Sequence, residues 1–150
     1  MKASVIDANV AAKWVLPPSG EAFVDRALEL LDRHGNGEIE LAVPDLFWAE
    51  LGNILWKAVR YGRCSKASAE LSLATLKASR LVTVPAEGLV QAAFTIAVTC
   101  NRTVYDSLYV ALAMEAGTAL ITADEKLANA LAGHFPVKWL GTVYGFSGVG

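Results

Sequence analysis

Ala3-Ser4-Val5-Ile6-Asp7 is a short apolar run that stops at an acid. A run of this kind reads as a buried strand, with the carboxylate where the chain leaves the sheet. The pattern returns late in the chain as Ala119-Leu120-Ile121-Thr122-Ala123-Asp124, with a strand expected over Thr118 to Thr122. Glu38 to Val43 alternates and meets Pro44, and Leu81 to Val84 and Val137 to Leu140 are two further short strands. Helical stripes separate them. Glu21 to His34 carries Phe23, Ala27, Leu28, Leu30 and Leu31 and stops at Gly35, and Asp45 to Tyr61 stops at Gly62. Ser65 to Ser79 has Ser65 as its expected N-cap, and Glu87 to Cys100 follows. Thr103-Val104-Tyr105-Asp106 opens a helix in capping-box form that Gly117 closes, and Glu125 to Leu131 is a last short helix. Strands alternating with helices predict an α/β protein, a three-layer α/β/α sandwich whose central parallel sheet is covered on both faces.

A chain of 150 residues suits one domain, and residues 141–150 read as a flexible tail. Hydrophobic residues make up 54% and charged ones 19%, which excludes intrinsic disorder and points to an apolar face buried in an oligomer. A formal net charge of -2 excludes a protein held to nucleic acid by bulk electrostatics, so such a partner has to be met by local cationic patches or a bound metal. Cys64 and Cys100 stand far apart with no CxxC pair, which excludes a zinc finger and a disulfide scaffold and fits a reducing interior. Asp7 interrupts any signal-peptide core, and the most apolar long window, Leu81 to Cys100, contains Pro85, Glu87 and Gln91. The expected location is the cytoplasm, with no membrane partner.

Four carboxylates sit at element junctions. Asp7 and Asp124 follow strands, Asp106 lies in a first helical turn, and Glu50 lies near the start of the helix after Pro44. Ligands of open α/β sheets bind outside the carboxyl ends of the strands, where all four can arrive. Gathering them is costly: at an effective dielectric near 20, two unit charges about 4 Å apart repel by roughly 4 kcal/mol. Protons or cations must neutralise such a cluster, and an all-oxygen donor set without Cys or His suits Mg²⁺ or Mn²⁺. Phosphodiester hydrolysis is chemistry that such a site performs.

The segments Val5-Ile6-Asp7-Ala8-Asn9, Pro44 to Asn53 (Glu50 within), Tyr105-Asp106-Ser107-Leu108-Tyr109 and Leu120-Ile121-Thr122-Ala123-Asp124 resemble the four acidic motifs of PIN domains, in the family's order. The resemblance spans residues 3 to about 140, and within PIN domains the chain looks like the VapC toxins of type II toxin–antitoxin pairs. It implies an α/β/α sandwich and a Mg²⁺- or Mn²⁺-dependent endoribonuclease acting on RNA. It also implies a homodimer and a small VapB-like antitoxin as partner. Asp7, Glu50, Asp106 and Asp124 match the family's acidic, metal-holding catalytic site. Asn9 matches the small polar residue beside the first acid, and Thr122 the hydroxyl before the last.

Each residue also has a plainer reading. Asp7 can cap a helix from Asn9 onward, Asp106 fits its capping box, Asp124 can cap the helix at Glu125, and Glu50 can be a solvated helix residue. Asp45 reads as an N-cap, and His34 and His134 as end caps that offset helix dipoles. Lys13 can reach toward a phosphate. Lys57, Arg60, Arg63 and Lys66 surround one helical corner, read as ordinary surface or as RNA guidance. Trp14, Trp48 and Trp56 read as core or dimer-face groups. Three alternatives stay open. A phosphotransferase with a nucleophilic Asp is disfavoured by Asp7-Ala8-Asn9 in place of Asp-x-Asp and by the lack of a late strand-end Lys. The others are a solitary RNA-processing nuclease and a non-catalytic RNA- or protein-binding module.

Overall fold

The computed structural model describes residues 2–143. Five strands, β1 (Lys2–Ile6), β2 (Ile39–Pro44), β3 (Val82–Val84), β4 (Leu120–Thr122) and β5 (Val137–Trp139), form one sheet in the order β3-β2-β1-β4-β5, and every pairing is parallel. The helices are α1 (Ala8–Val15), α2 (Val24–Gly35), α3 (Leu46–Arg60), α4 (Lys66–Ala78), α5 (Val90–Cys100), α6 (Val104–Glu115) and α7 (Glu125–Leu131). Parallel strands need right-handed crossovers. The chain moves from β1 to β2 to β3 in one direction, which sets α1–α4 on one face. It then returns to β4 and β5, which sets α5–α7 on the other. The expected α/β/α sandwich is therefore the observed fold. No helix among the described residues is long and apolar enough to cross a membrane.

The core explains which periodicities survive in the sequence. Val5, Ile6, Leu41, Val43, Leu120 and Ile121 are buried on the two-sided sheet, so their strands read as continuous apolar runs. Ser107 through Ala113 of α6 are all buried, because this helix lies across β1, β2 and β4 at the centre of its layer. Its amphipathic signal is correspondingly weak, and its ends are marked by caps instead. Thr103 Oγ1 accepts the Asp106 N–H at 3.1 Å. Gly117 takes a left-handed φ of 65°, its N–H bonding Met114 O while Thr118 N–H bonds Ala113 O, the 5→2 and 6→1 pair of a Schellman stop. Gly62, at φ 73°, ends α3 in the same way.

Several local expectations change. The first strand runs straight into α1 with no turn residue between; the helix that Asp7 can flank begins at Ala8 rather than Asn9, and Asp7 makes no side-chain cap bond to it. The helix expected from Glu87 breaks into a 3-10 turn at Ala86–Gly88 and α5. The strand expected from Thr118 begins at Leu120. Asp45 is not a side-chain cap: its backbone is already helical, and Oδ1 instead accepts the Ala86 N–H at 3.0 Å, tying the end of β2 to the segment after β3. His34 is a bridge between elements. Its Nδ1 accepts the Leu41 N–H at 3.1 Å, so Nε2 carries the proton and donates to Ser79 O at 2.9 Å. Trp14 and Trp48 are partly buried, with indole N–H groups donating to Ala27 O and Thr83 Oγ1, whereas Trp56 stands in solvent. Leu140–Thr142 forms a 3-10 turn, and Arg26 donates to the Gly141 carbonyl. The rest of the expected tail, residues 144–150, lies outside the described residues.

Candidate active site

The site starts from the β1–β4 pairing. Val5 pairs with Leu120 and Ile6 with Ile121, and the Asp7 N–H continues the ladder to Ile121 O at 3.0 Å. This register delivers Asp7 beside Thr122 at the carboxyl edge of the sheet. It is also where strand order reverses, since β1 leads outward through β2 and β4 through β5.

Thr122 is fully buried and its hydroxyl is saturated. Oγ1 donates to Asp7 Oδ2 at 3.0 Å and accepts from Asn9 Nδ2 at 3.2 Å and from the Asp124 N–H at 3.1 Å. Asn9 is sewn in from both ends of its amide: Nδ2 also reaches Asp7 Oδ2 at 3.4 Å, and Oδ1 accepts the Ala123 N–H at 2.9 Å. These bonds fix the Asp7 side chain, which makes no cap bond to α1. Asp124 does cap α7, accepting the Leu127 N–H at 3.1 Å on Oδ1, and it is exposed. Its structural and proposed roles share one residue.

The other two acids come from opposite helical layers. Glu50, on α3, and Asp106, on α6, are each partly buried. Tyr109, one turn after Asp106 and 1% exposed, donates its hydroxyl to Glu50 Oε1 at 2.6 Å. In the sequence Tyr109 stands out only as part of the acidic motif around Asp106. Its signal was present as a phenol among buried apolar neighbours, because a buried hydroxyl needs a partner.

The four acids feel one another. Burial pushes the Asp7 carboxyl up to about 7, with the Glu50 and Asp106 charges adding to the rise and the Thr122 hydrogen bond opposing it. Burial raises Glu50 as well, opposed by the Tyr109 hydroxyl and reinforced by Asp106. Burial raises Asp106, Arg102 offsets part of this, and Asp124 adds to it. Burial, then the bond to Glu50, holds the Tyr109 hydroxyl far above its usual range, so it remains a donor. Asp7, Glu50, Asp106 and Asp124 thus form a chain of coupled charges at one edge of the sheet. Lys13 does not neutralise them, because its ammonium pairs with Glu21 at 3.4 Å.

The donor set fits a hard divalent cation: it is oxygen only and partly open to solvent, and burial, with mutual repulsion adding to it, raises Asp7, Glu50 and Asp106. Among the described residues no three His, Cys, Asp or Glu side chains stand as a finished ligand cluster. Glu125 is exposed and stands apart from these couplings.

The comparisons with known proteins agree with this architecture. The PIN domain model matches residues 4–131. The chain is 34% identical over 129 residues to Ribonuclease VapC3 of Pyrobaculum aerophilum, covering 83% of this chain and 92% of that protein. The crystal structure of PAE2754 from Pyrobaculum aerophilum superposes with a TM-score of 0.66 at 23% identity, over 94% of this chain and 92% of that one. VapBC2 from Rickettsia felis, bound to a DNA fragment from its promoter, matches with a TM-score of 0.58 at 14% identity, over 91% and 98%. At those identities the two structures speak for the fold, while the family model and the ribonuclease relative speak for descent: the chain belongs to the PIN-domain family and is a homologue of a VapC ribonuclease.

Proposed function

We propose that this protein is a Mg²⁺- or Mn²⁺-dependent endoribonuclease, the toxin of a toxin–antitoxin pair. The observation that carries the reading is the coupling of Asp7, Glu50, Asp106 and Asp124 at the sheet edge, with the Asp7 carboxyl pushed up to about 7. A purely structural acid lowers its energy by pairing with a cation of the protein, whereas Asp7 is held by the Thr122 hydroxyl and the Asn9 amide and feels the charges of Glu50 and Asp106. Its proposed role is to hold a divalent ion together with Glu50, Asp106 and Asp124. Bound there, the ion supplies Lewis acidity toward a phosphodiester and a water of lowered pKa.

The chain's own groups do the rest. Thr122 and Asn9 hold the Asp7 carboxylate in one orientation, as outer-shell donors do for metal-holding acids. Tyr109 occupies Oε1 of Glu50 and leaves Oε2 without that donor. A carboxylate of the cluster that is not engaged by the ion is suited to take a proton from the attacking water.

The proposed partners are RNA, a second copy of the chain and a VapB-like antitoxin, in the cytoplasm. The VapBC2 complex supports the antitoxin. The exposed side chains of Val90, Phe94 and Val98 on α5 support an apolar contact between copies. An antitoxin suited to this site would insert an Arg or Lys among the carboxylates. The test is Mn²⁺-stimulated RNA cleavage, which Asp7→Asn should abolish while circular dichroism stays unchanged. Undiminished cleavage by that variant would overturn the role of Asp7.

A further inference from the structure

Resting on the ribonuclease reading, we infer that the C-terminal half of α3 and the turn after it form a docking track for single-stranded RNA. In this track Lys57, Arg60 and Arg63 meet phosphates, while Trp56 and Tyr61 stack bases. The first observation is the charge pattern. Residues 51–69 contain Lys57, Arg60, Arg63 and Lys66 and no acid, in a chain whose net charge is -2. Neither Lys57 nor Arg60 has an acid within ion-pair distance among the described residues. Arg63 only grazes Glu21 at 4.0 Å, and Lys66 pairs with Glu70.

The second observation is exposure. Trp56 is 53% and Tyr61 74% exposed, and the Arg60 guanidinium lies 5.5 Å over one face of the Trp56 ring. Both rings thus stand exposed beside a cation. Aromatic faces interleaved with Arg and Lys are what single-stranded nucleic acid binds.

The third is helical register. Lys57 and Tyr61 follow Glu50 by seven and eleven residues, so at 3.6 residues per turn they lie on the same face, about 10 and 16 Å further along the axis. Arg60 and Trp56 lie together on one side of that line, about 80° and 120° around the axis. A strand laid on this face runs from the corner toward the carboxylates. The uniform positive charge disfavours self-docking, because two copies of this corner would repel.

The test uses the full chain and a fluorescein-labelled twelve-nucleotide oligouridylate, with a blunt RNA duplex of equal length for comparison. Anisotropy is read in Ca²⁺, and Mn²⁺-dependent cleavage is followed in parallel. The single strand should bind more tightly than the duplex. Trp56→Ala with Tyr61→Ala should weaken single-strand binding about tenfold or more. Lys57→Gln with Arg60→Gln should weaken it and lower the salt slope by about one to two. If wild-type protein cleaves RNA but neither pair alters binding, the track is wrong and the ribonuclease reading stands. Wild-type cleavage without measurable oligouridylate binding also overturns the track. If wild-type protein neither binds nor cleaves, the ribonuclease reading falls first and the track with it. If the aromatic pair instead changes the oligomeric state at unaltered RNA affinity, the corner is a protein interface and the inference is overturned.

Discussion

Tyr109 donates its hydroxyl to Glu50 Oε1 at 2.6 Å, joining α6 to α3 across 59 positions of sequence. The bond links the two helical layers directly above the sheet edge, and it decides which oxygen of Glu50 is left for other work. Tyr109→Phe keeps the ring and removes the donor. Stability should change by only about 1 kcal/mol, because one buried hydrogen bond is lost with little change in volume. The Glu50 carboxyl should rise further, since the hydroxyl now lowers it. Cleavage should fall by about 10–100-fold, with the rising limb of its pH profile moved to higher pH. An unaltered profile would show that Glu50 acts without Tyr109.

Thr122→Val preserves the shape of the strand end and strands three partners: the Asp7 carboxyl, the Asn9 amide and the Asp124 N–H. Chemical denaturation should show a loss of about 2 kcal/mol. Mn²⁺ affinity should drop by about 10–100-fold, and Thr122→Ser should recover most of both.

The Asp7 carboxyl binds its proton near pH 7 in the folded chain and near 3.8 in the unfolded one. Between those values the folded state holds the extra proton, so stability in the absence of divalent ions is greatest below the lower value. It falls as pH rises through the window and levels off above about 7. The contribution is on the order of 4 kcal/mol, and the raised Glu50 and Asp106 act in the same direction. Thermal melts in EDTA should therefore show Asp7→Asn melting above wild type at about pH 8, with the gap closing toward about pH 4. Divalent ions need the deprotonated acids, so their stabilising effect should grow across the same window.

Gly117 holds a φ of 65° at the stop of α6, where a Cβ would be strained even though no atom crowds it. Gly117→Ala should cost about 1–2 kcal/mol in a thermal melt. Gly133→Ala, whose Cβ would meet nothing within 4 Å and whose φ is unexceptional, should stay within about 0.5 kcal/mol of wild type.

What the sequence disclosed was local. Thr103 and Ser65 were readable as caps because each bonds an N–H three residues on, and Gly62 and Gly117 as stops because only a left-handed residue closes those turns. Asp7 and Asp124 were readable as strand-end acids because each closes a short apolar run. The hidden parts depend on partners distant in sequence. Nothing near Tyr109 announces Glu50, nothing near Asp45 announces Ala86, and nothing near His34 announces Ser79. Helix α1 is signalled in the sequence only by Asp7, which follows β1 directly and flanks the helix, with no Gly, Pro or Ser between to mark the change. Residue type alone leaves Trp56 between core and dimer face, and only the fold removes it from the core by showing it exposed on α3.

Calorimetric titration of Mn²⁺ into the metal-stripped protein near neutral pH tests the central claim most directly. The account predicts saturable binding with proton release in the wild type, and a loss of about tenfold or more in affinity in Asp7→Asn and in Asp106→Asn, both still folded. Equal Mn²⁺ affinity in all three proteins, or no binding by the wild type, would contradict it.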